Sequence, residues 1–347
     1  MPSSSASARA DILALLAGER RPRVPAFSGL IHVTAAGLEA AGRRLDAVHH
    51  DPAALTAAAA STFQLTGLPS AAAPLDLCVE AEALGCAVDF RAGTTPPEFP
   101  VIAQPLAETL ADLRLEAPAD LETRGRLPVA AEAIRRLKAQ FGTEIVVGAW
   151  VPGPITLLSL LLPPGALYDA LGRPPESLAG TLTTVAEVLA RAARLYQAAG
   201  ADFITVHEMG GSPGIIGPRR FRAVALPPLQ RLLAALTGPR VLSACGRATA
   251  AVGLLAEAGA DAVSVDQLTD LAQARAALGA GPLLFGNLDP VATLAQGAEA
   301  AIHSATAGAI AAGADAVWPG CDLWPPTPSS SLRAWQTAAQ QHPRPSA

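Results

Sequence analysis

The 347-residue chain reads as an α/β protein, a single-domain (β/α)8 barrel of the TIM type with an N-terminal helical extension. Three observations predict this. The sequence Ala-Gly-Ala-Asp recurs at 199–202, 258–261 and 312–315, each time ending a helical pattern and opening a short apolar run at 203–206, 262–265 or 316–318. Glycine there supplies a left-handed helix stop, and short runs without polar alternation belong to parallel strands covered on both faces. Two more apolar runs, at 241–242 and 283–285, lie between these, each followed by a helical pattern. Five strand–helix units thus fill the C-terminal half and about three precede them, which fits a barrel better than an open sheet. No Gly-x-Gly-x-x-Gly follows a strand, so a dinucleotide-binding sheet is disfavoured. The expected division is an extension over 1–22 and a barrel over 23–340.

In order along the chain, residues 4–18 form a helix with Ile12, Leu13, Leu15 and Leu16 as its apolar stripe and Gly18 at its end. The run 23–29 is the expected first strand. Asp51-Pro52 opens the next helix, with aspartate as N-cap and proline in the first turn, and that helix runs to about Thr66. The stretch 74–99 is mixed and carries Asp76, Glu80 and Glu82 inside an apolar segment. A helix over 128–141 leads to a buried strand at 145–150. Pro152-Gly153-Pro154 breaks the chain before a helix at 155–162, and a long helix follows over 175–199.

Half of the residues are apolar and 16% are charged, ample for one large core. A net charge of −5, no Lys/Arg-rich run and 4% aromatics argue against a nucleic-acid surface. The N-terminal residues lack the basic-then-apolar pattern of a signal peptide, and no apolar run is long enough to span a bilayer. Four cysteines in a chain this long do not make a disulfide framework, so a cytoplasmic location is expected.

Barrel chemistry lies at the C-terminal strand ends. Those ends carry Trp150, His207-Glu208, Ser243-Ala244-Cys245, Asp266-Gln267, Asn287 with Asp289, and Cys321-Asp322. Two strand-like runs that each finish in a thiol point to a metal site or a redox pair; the alternative is two small buried hydrophobes. Zinc suits such a set, because it takes thiolate, imidazole and carboxylate ligands. His207 beside Glu208 is either a ligand or a hydrogen-bonded strand-end residue. His32, His49, His50, His303 and His342 are read as surface or structural. The three acids at 76–82 cannot all be buried without partners. At least one of Asp76, Glu80 and Glu82 is expected to have a functional role, or else the acids favour a helix N-terminus.

These residues resemble a known family. The chain is similar to the uroporphyrinogen decarboxylase superfamily and, within it, to the cobalamin-dependent methyltransferases. The resemblance covers nearly the whole chain. It rests on the opening helix followed by Arg23-Val24-Pro25, on the stretch from Asp76-Leu77-Cys78 to Cys86, on Gly153-Pro154-Ile155-Thr156, on Gly286-Asn287-Leu288-Asp289-Pro290, and on Pro319-Gly320-Cys321-Asp322 with Thr327-Pro328 beyond. The decarboxylase branch carries an arginine-rich loop where this chain has Phe27-Ser28-Gly29-Leu30-Ile31-His32. Its pocket tyrosine falls on Leu160 and its late histidine on Cys321, and only its aspartate is kept, at Asp76.

The methyltransferase branch implies a His-x-Cys and a later Gly-Cys as zinc ligands. Cys245 and Cys321 match, but Ser243 stands at the histidine position. Either zinc is lost, or His207 supplies the nitrogen, with Glu208 as an oxygen-donating alternative. The resemblance further implies a zinc-dependent transfer of a methyl group from a methylated corrinoid protein to a thiol or a tetrahydrofolate-type acceptor. Asp76, Glu80, Asp266 and Asn287 would be catalytic, with Gln267 and Asp289 orienting bound groups. No Asp-x-His-x-x-Gly is present, so the corrinoid is expected on a separate partner; a homodimer is left open. A decarboxylase-like lyase and a non-catalytic tetrapyrrole- or corrinoid-binding barrel are the alternatives.

Overall fold

The computed structural model describes residues 4–344; residues 1–3 of the expected extension lie outside them. Six parallel strands form one sheet in the order β1 (Ser70–Ala73), β4 (Val146–Pro152), β5 (Phe203–Glu208), β6 (Arg240–Ala244), β7 (Ala262–Val265) and β8 (Leu283–Phe285). A separate antiparallel hairpin, β2 (Ala87–Asp89) with β3 (Val101–Gln104), leaves the chain after β1.

The helices fill the intervals. They are α1 (Ser4–Leu16), α2 (Ala35–Ala40), α3 (Pro52–Thr66), α4 (Val79–Leu84), α5 (Leu127–Phe141), α6 (Pro154–Leu161), α7 (Pro164–Gly172) and α8 (Glu176–Ala198). Beyond β5 come α9 (Pro213–Ile216), α10 (Pro218–Arg220), α11 (Leu226–Ala234), α12 (Val252–Ala256), α13 (Leu271–Leu278), α14 (Glu299–Ala311) and α15 (Ser329–Gln341).

Two expected strands are present only as isolated bridges. In the first, Ala26 bridges Val317 in parallel, and Pro25, which lacks an N–H, cannot extend the ladder. In the second, Ala316 bridges Phe285 and Pro319 bridges Leu288. Backbone bonds Val317 N to Pro25 O (2.9 Å) and Asp315 N to Leu284 O (2.7 Å) carry the sheet direction through both segments. On the other side, Ser28 N donates to Ser70 Oγ at 3.1 Å, so the 26–32 segment meets β1 through side chains. Strand β1 was not expected: three of its four residues are alanine, which carry little strand preference.

The strands sort their side chains by alternation. Val146, Phe203, Val241, Ala262 and Leu283, near the strand starts, share one core cluster with Phe27, Trp318 and with Ile12, Leu15 and Leu16 of α1. Their neighbours Val147, Ile204, Leu242, Val263 and Leu284 belong to the other cluster, under the helices. Helix α1 therefore closes the end of the sheet at which the strands begin, and the site is left to the opposite end.

Asp315 ties that closed end together. Its buried carboxylate accepts from Arg20 Nε and Arg344 Nη1, each at 2.8 Å, from Arg275, and from Leu284 N at 3.1 Å. Burial alone would raise its pKa, but these bonds outweigh it and hold the carboxyl below the usual range. The N-cap of α3 is simpler: Asp51 accepts from Ala53 N and Ala54 N, at a helix start that falls where the sequence places it. Denaturant unfolding should separate the two aspartates. Asp51→Ala should cost about 1 kcal/mol, and Asp315→Ala about 3 kcal/mol or more because it strands three guanidinium groups; equal losses would deny the clamp its role.

Candidate metal centre

Strand β5 carries the sequence Phe203-Ile204-Thr205-Val206-His207-Glu208. Phe203 belongs to the inner cluster and Ile204 and Val206 to the outer one. Alternation thus turns His207 inward and its neighbour Glu208 outward. Inside, His207 Nε2 lies 3.6 Å from Cys245 Sγ and 3.7 Å from Cys321 Sγ, and the two sulfurs are 3.1 Å apart. Among the described residues this is the group of three whose ligand atoms converge on a common point. Cys245 follows β6, its N–H bonded to Glu208 O at 3.3 Å, and Cys321 follows Gly320, whose N–H is bonded to Leu288 O at 2.7 Å.

The donor set fits zinc. With bonds of about 2.3 Å to sulfur and about 2.0 Å to nitrogen, tetrahedral zinc sets sulfur and nitrogen roughly 3.5 Å apart and two sulfurs roughly 3.8 Å apart. The nitrogen–sulfur spacings match, and the sulfurs need to separate by about 0.7 Å. Three protein ligands would leave one position open, as catalytic zinc sites require. His207 Nδ1 is buried and has no hydrogen-bond partner. The Trp150 ring stands nearly perpendicular to this imidazole, with centroids 6.4 Å apart.

Electrostatics already favour a thiolate. The contact with Cys245, with His207 adding to it, pushes Cys321 well below the ordinary thiol value. The same contact, together with burial, pushes Cys245 upward. Burial would lower the His207 pKa, but the bond to Cys321 and the nearby Asp322 carry it above its usual value. Asp322, next in sequence to a thiol, is pushed up to about 7 by burial and the Cys321 charge, and accepts from Ile31 N at 2.9 Å.

The structure does not bring Glu208 to this cluster. Its oxygens accept from Ile155 N (3.1 Å), Thr156 N (3.0 Å), Thr156 Oγ1 (2.6 Å) and Gly211 N (2.9 Å), anchoring the first turn of α6. Gly153 leaves the space for it; a Cβ there would collide with the Glu208 side chain. Asp289 likewise caps a helical turn through Val291 N and Ala292 N, both at 2.8 Å. Asn287 spends its amide N–H groups on the carbonyls of Asp266 (2.9 Å) and Thr269 (2.7 Å), pinning the loop after β7. Asp266 stays on the rim near Cys245, and Gln267 packs against Gly320.

Asp76 and Glu80 fall in a different cluster. Asp76 is fully enclosed, in a two-point ion pair with Arg126 (2.6 and 3.0 Å) and with His49 Nδ1 3.0 Å from Oδ2. Arg126 also holds Glu82 at 2.6 Å and lies over the Phe90 ring. Burial would raise the Asp76 pKa, but His49 and Arg126 hold it well below the usual carboxylate range. His49 is thus a partner of Asp76 rather than a remote residue, and no pattern in the sequence marks Arg126. Glu80 is buried, accepts from Tyr196 Oη at 3.1 Å and has its other oxygen unpartnered. Burial pushes its carboxyl up to about 8.

The model of the family described as uroporphyrinogen decarboxylase (URO-D) matches residues 7–342. Among curated proteins, the chain is 28% identical to methylcobamide:CoM methyltransferase MtaA of Methanosarcina barkeri over 95% of this chain and 97% of that one. Among solved structures, a methyltransferase from Methanosarcina mazei superposes with a TM-score of 0.90 at 26% identity, covering 96% of this chain and 98% of that one. A B12-independent methionine synthase from Shewanella shares the fold alone, with a TM-score of 0.58 at 15% identity over 92% of this chain and 96% of its own.

Two measurements follow. Metal analysis of purified protein should find one zinc per chain, retained in Glu208→Gln and lost in Cys245→Ala, Cys321→Ala and His207→Ala; zinc undiminished in the His207 variant would remove that ligand. The second concerns Glu80. Between the ordinary carboxylate value of 4.5 and about 8, the folded state holds a proton that the unfolded state has released. Stability from this group is therefore full at low pH and falls as pH rises through that window. The melting temperature of Glu80→Gln minus that of wild type should grow from pH 5 to pH 8, and a flat difference would contradict the buried neutral acid.

Proposed function

The chain belongs to the uroporphyrinogen decarboxylase family, and from that premise we propose that it is a zinc-dependent methyltransferase. It moves a methyl group from a methylated corrinoid protein to a thiol. The observation that carries this reading is the convergence of His207, Cys245 and Cys321 on one point. The relatives with methyltransferase names, similar over nearly the whole chain, support it. We read the fold as an eight-stave barrel, with the segments around Ala26 and Val317 as its two shortest staves.

A zinc ion held there supplies Lewis acidity, which lowers the pKa of an acceptor thiol so that it reacts as thiolate near neutral pH. The chain's own residues do the remaining work. Cys245 and Cys321 supply the sulfurs, and His207 supplies a neutral imidazole nitrogen. In the net reaction the acceptor thiol releases its proton and its sulfur forms a bond to the methyl carbon. The cobalt–carbon bond breaks with its electron pair on cobalt, turning methyl-Co(III) into Co(I). Asp266 and Gln267 border the acceptor, and Asn287 positions the loop that carries them.

The molecular surface supports a protein partner at the mouth. Among the described residues, the large apolar side chains left exposed are Val101, Tyr168, Ile215, Leu268, Val291 and Trp324. Each lies in a segment that leaves the C-terminal end of a strand before the return helix. Large apolar side chains left exposed on these connecting segments favour an interaction face at the end of the sheet to which the strands run. A decarboxylase reading draws less support, because Asp76 is enclosed by Arg126 and His49.

Zinc-loaded protein mixed with methylcobalamin and a panel of thiols should convert the methyl-Co(III) spectrum to that of Co(I) or Co(II), with the S-methyl product in equal amount. Cys321→Ala should lose at least about 100-fold in rate, since it removes a ligand of the activating group. Turnover of porphyrinogens with no loss of the cobalt methyl group would replace this reading by the decarboxylase one.

A further inference from the structure

Which thiol the site accepts is written in the wall between its two sulfurs. In sheet order β7 and β8 stand between β6, which leads to Cys245, and the segment that ends at Cys321. On β7, Ala262 belongs to the inner cluster, so Ser264 also faces inward, and Asp266 follows two residues on. Ser264 Oγ is fully buried and has no hydrogen-bond partner. Gln267 Oε1 is also buried without a partner. It abuts Gly320, the residue before Cys321, where a Cβ would collide with the Gln267 backbone and side chain.

The Asp266 carboxylate is 6% exposed and spends Oδ1 on Leu268 N at 2.8 Å, which leaves Oδ2 free of any bond among the described residues. Its backbone carbonyl is held in place by Asn287 and by Thr269 N. Three oxygens able to accept a hydrogen bond, one of them anionic, therefore line the sector between the thiols. A buried acceptor left without a donor is costly, and a carboxylate beside it favours a cationic donor.

The geometry points to a short aminothiol as the methyl acceptor. Its protonated amine, with three N–H donors, matches Asp266 Oδ2, Gln267 Oε1 and Ser264 Oγ, while its sulfur occupies the open side of the metal ligands. A sulfonate or carboxylate in the same place would lie against the like charge of the Asp266 carboxylate, with only the neutral Ser264 hydroxyl and Gln267 amide to donate to it. This assignment rests on the methyl-transfer reading and adds the class of acceptor to it.

The test is calorimetric binding to zinc-loaded protein of cysteamine, 2-mercaptoethanol and 2-mercaptoethanesulfonate, with homocysteine as a longer aminothiol. One aminothiol should bind about tenfold or more tighter than the neutral and anionic thiols, the size expected of a charge-assisted hydrogen bond. Asp266→Asn should erase that preference with zinc content unchanged, and Gln267→Glu should widen it. The Gln267 variant keeps the question open to test even where Asp266→Asn folds poorly. All thiols bound equally, the sulfonate preferred, or a preference untouched by both substitutions would overturn the aminothiol assignment and leave methyl transfer standing. No thiol bound and none methylated would overturn both.

Discussion

The candidate site depends on the two-residue period of a single strand. His207 and Glu208 are adjacent on β5, so the pleat sends them to opposite faces. One face offers two thiols; the other offers the unbonded N–H groups at the start of α6. Each side chain finds the partner its chemistry suits: imidazole with sulfur, and carboxylate with the donors at a helix N-terminus. A one-residue slip of this strand would exchange them and place a carboxylate among the thiols. The register that prevents such a slip is held by five paired residues on β4 and five on β6.

Register also explains how Ser243 is compatible with a metal centre. His207 and Ser243 are direct partners across the β5–β6 ladder, at the same height and both facing inward. An imidazole moved from one to the other changes strand without changing level. Ser264 continues the same row on β7. The inward row therefore reads histidine, serine, serine, with one imidazole and two small hydroxyl groups beside it.

Much of the frame was legible in the sequence. The repeated Ala-Gly-Ala-Asp turns sit where helices α8, α12 and α14 give way to extended chain, and the Asp51-Pro52 start of α3 is in place. What stayed hidden has physical reasons. Strand β1 is nearly all alanine, and the 23–29 and 316–318 segments carry prolines at or beside their pairing positions, which reduces them to bridges. At the site, Cys245 and Cys321 could be placed on one rim from strand order alone. The partnership of Asp76 with Arg126, fifty residues on, could not, since it depends on where α5 begins relative to β1. Glu208 was readable in principle: strand alternation rules it out wherever His207 points inward.

The ligands are also far apart along the chain, and that spacing has a mechanical consequence. His207 lies 38 residues before Cys245, and Cys245 lies 76 before Cys321. A metal bound by all three would close two successive loops and cross-link β5 to the segment that ends at Cys321. Such a clip removes chain entropy from the unfolded ensemble, more so for long loops. Loss of the ion would then be felt well beyond the mouth, as easier opening and faster proteolysis of the C-terminal half, so that the group serving reaction chemistry would also set how long the fold lasts.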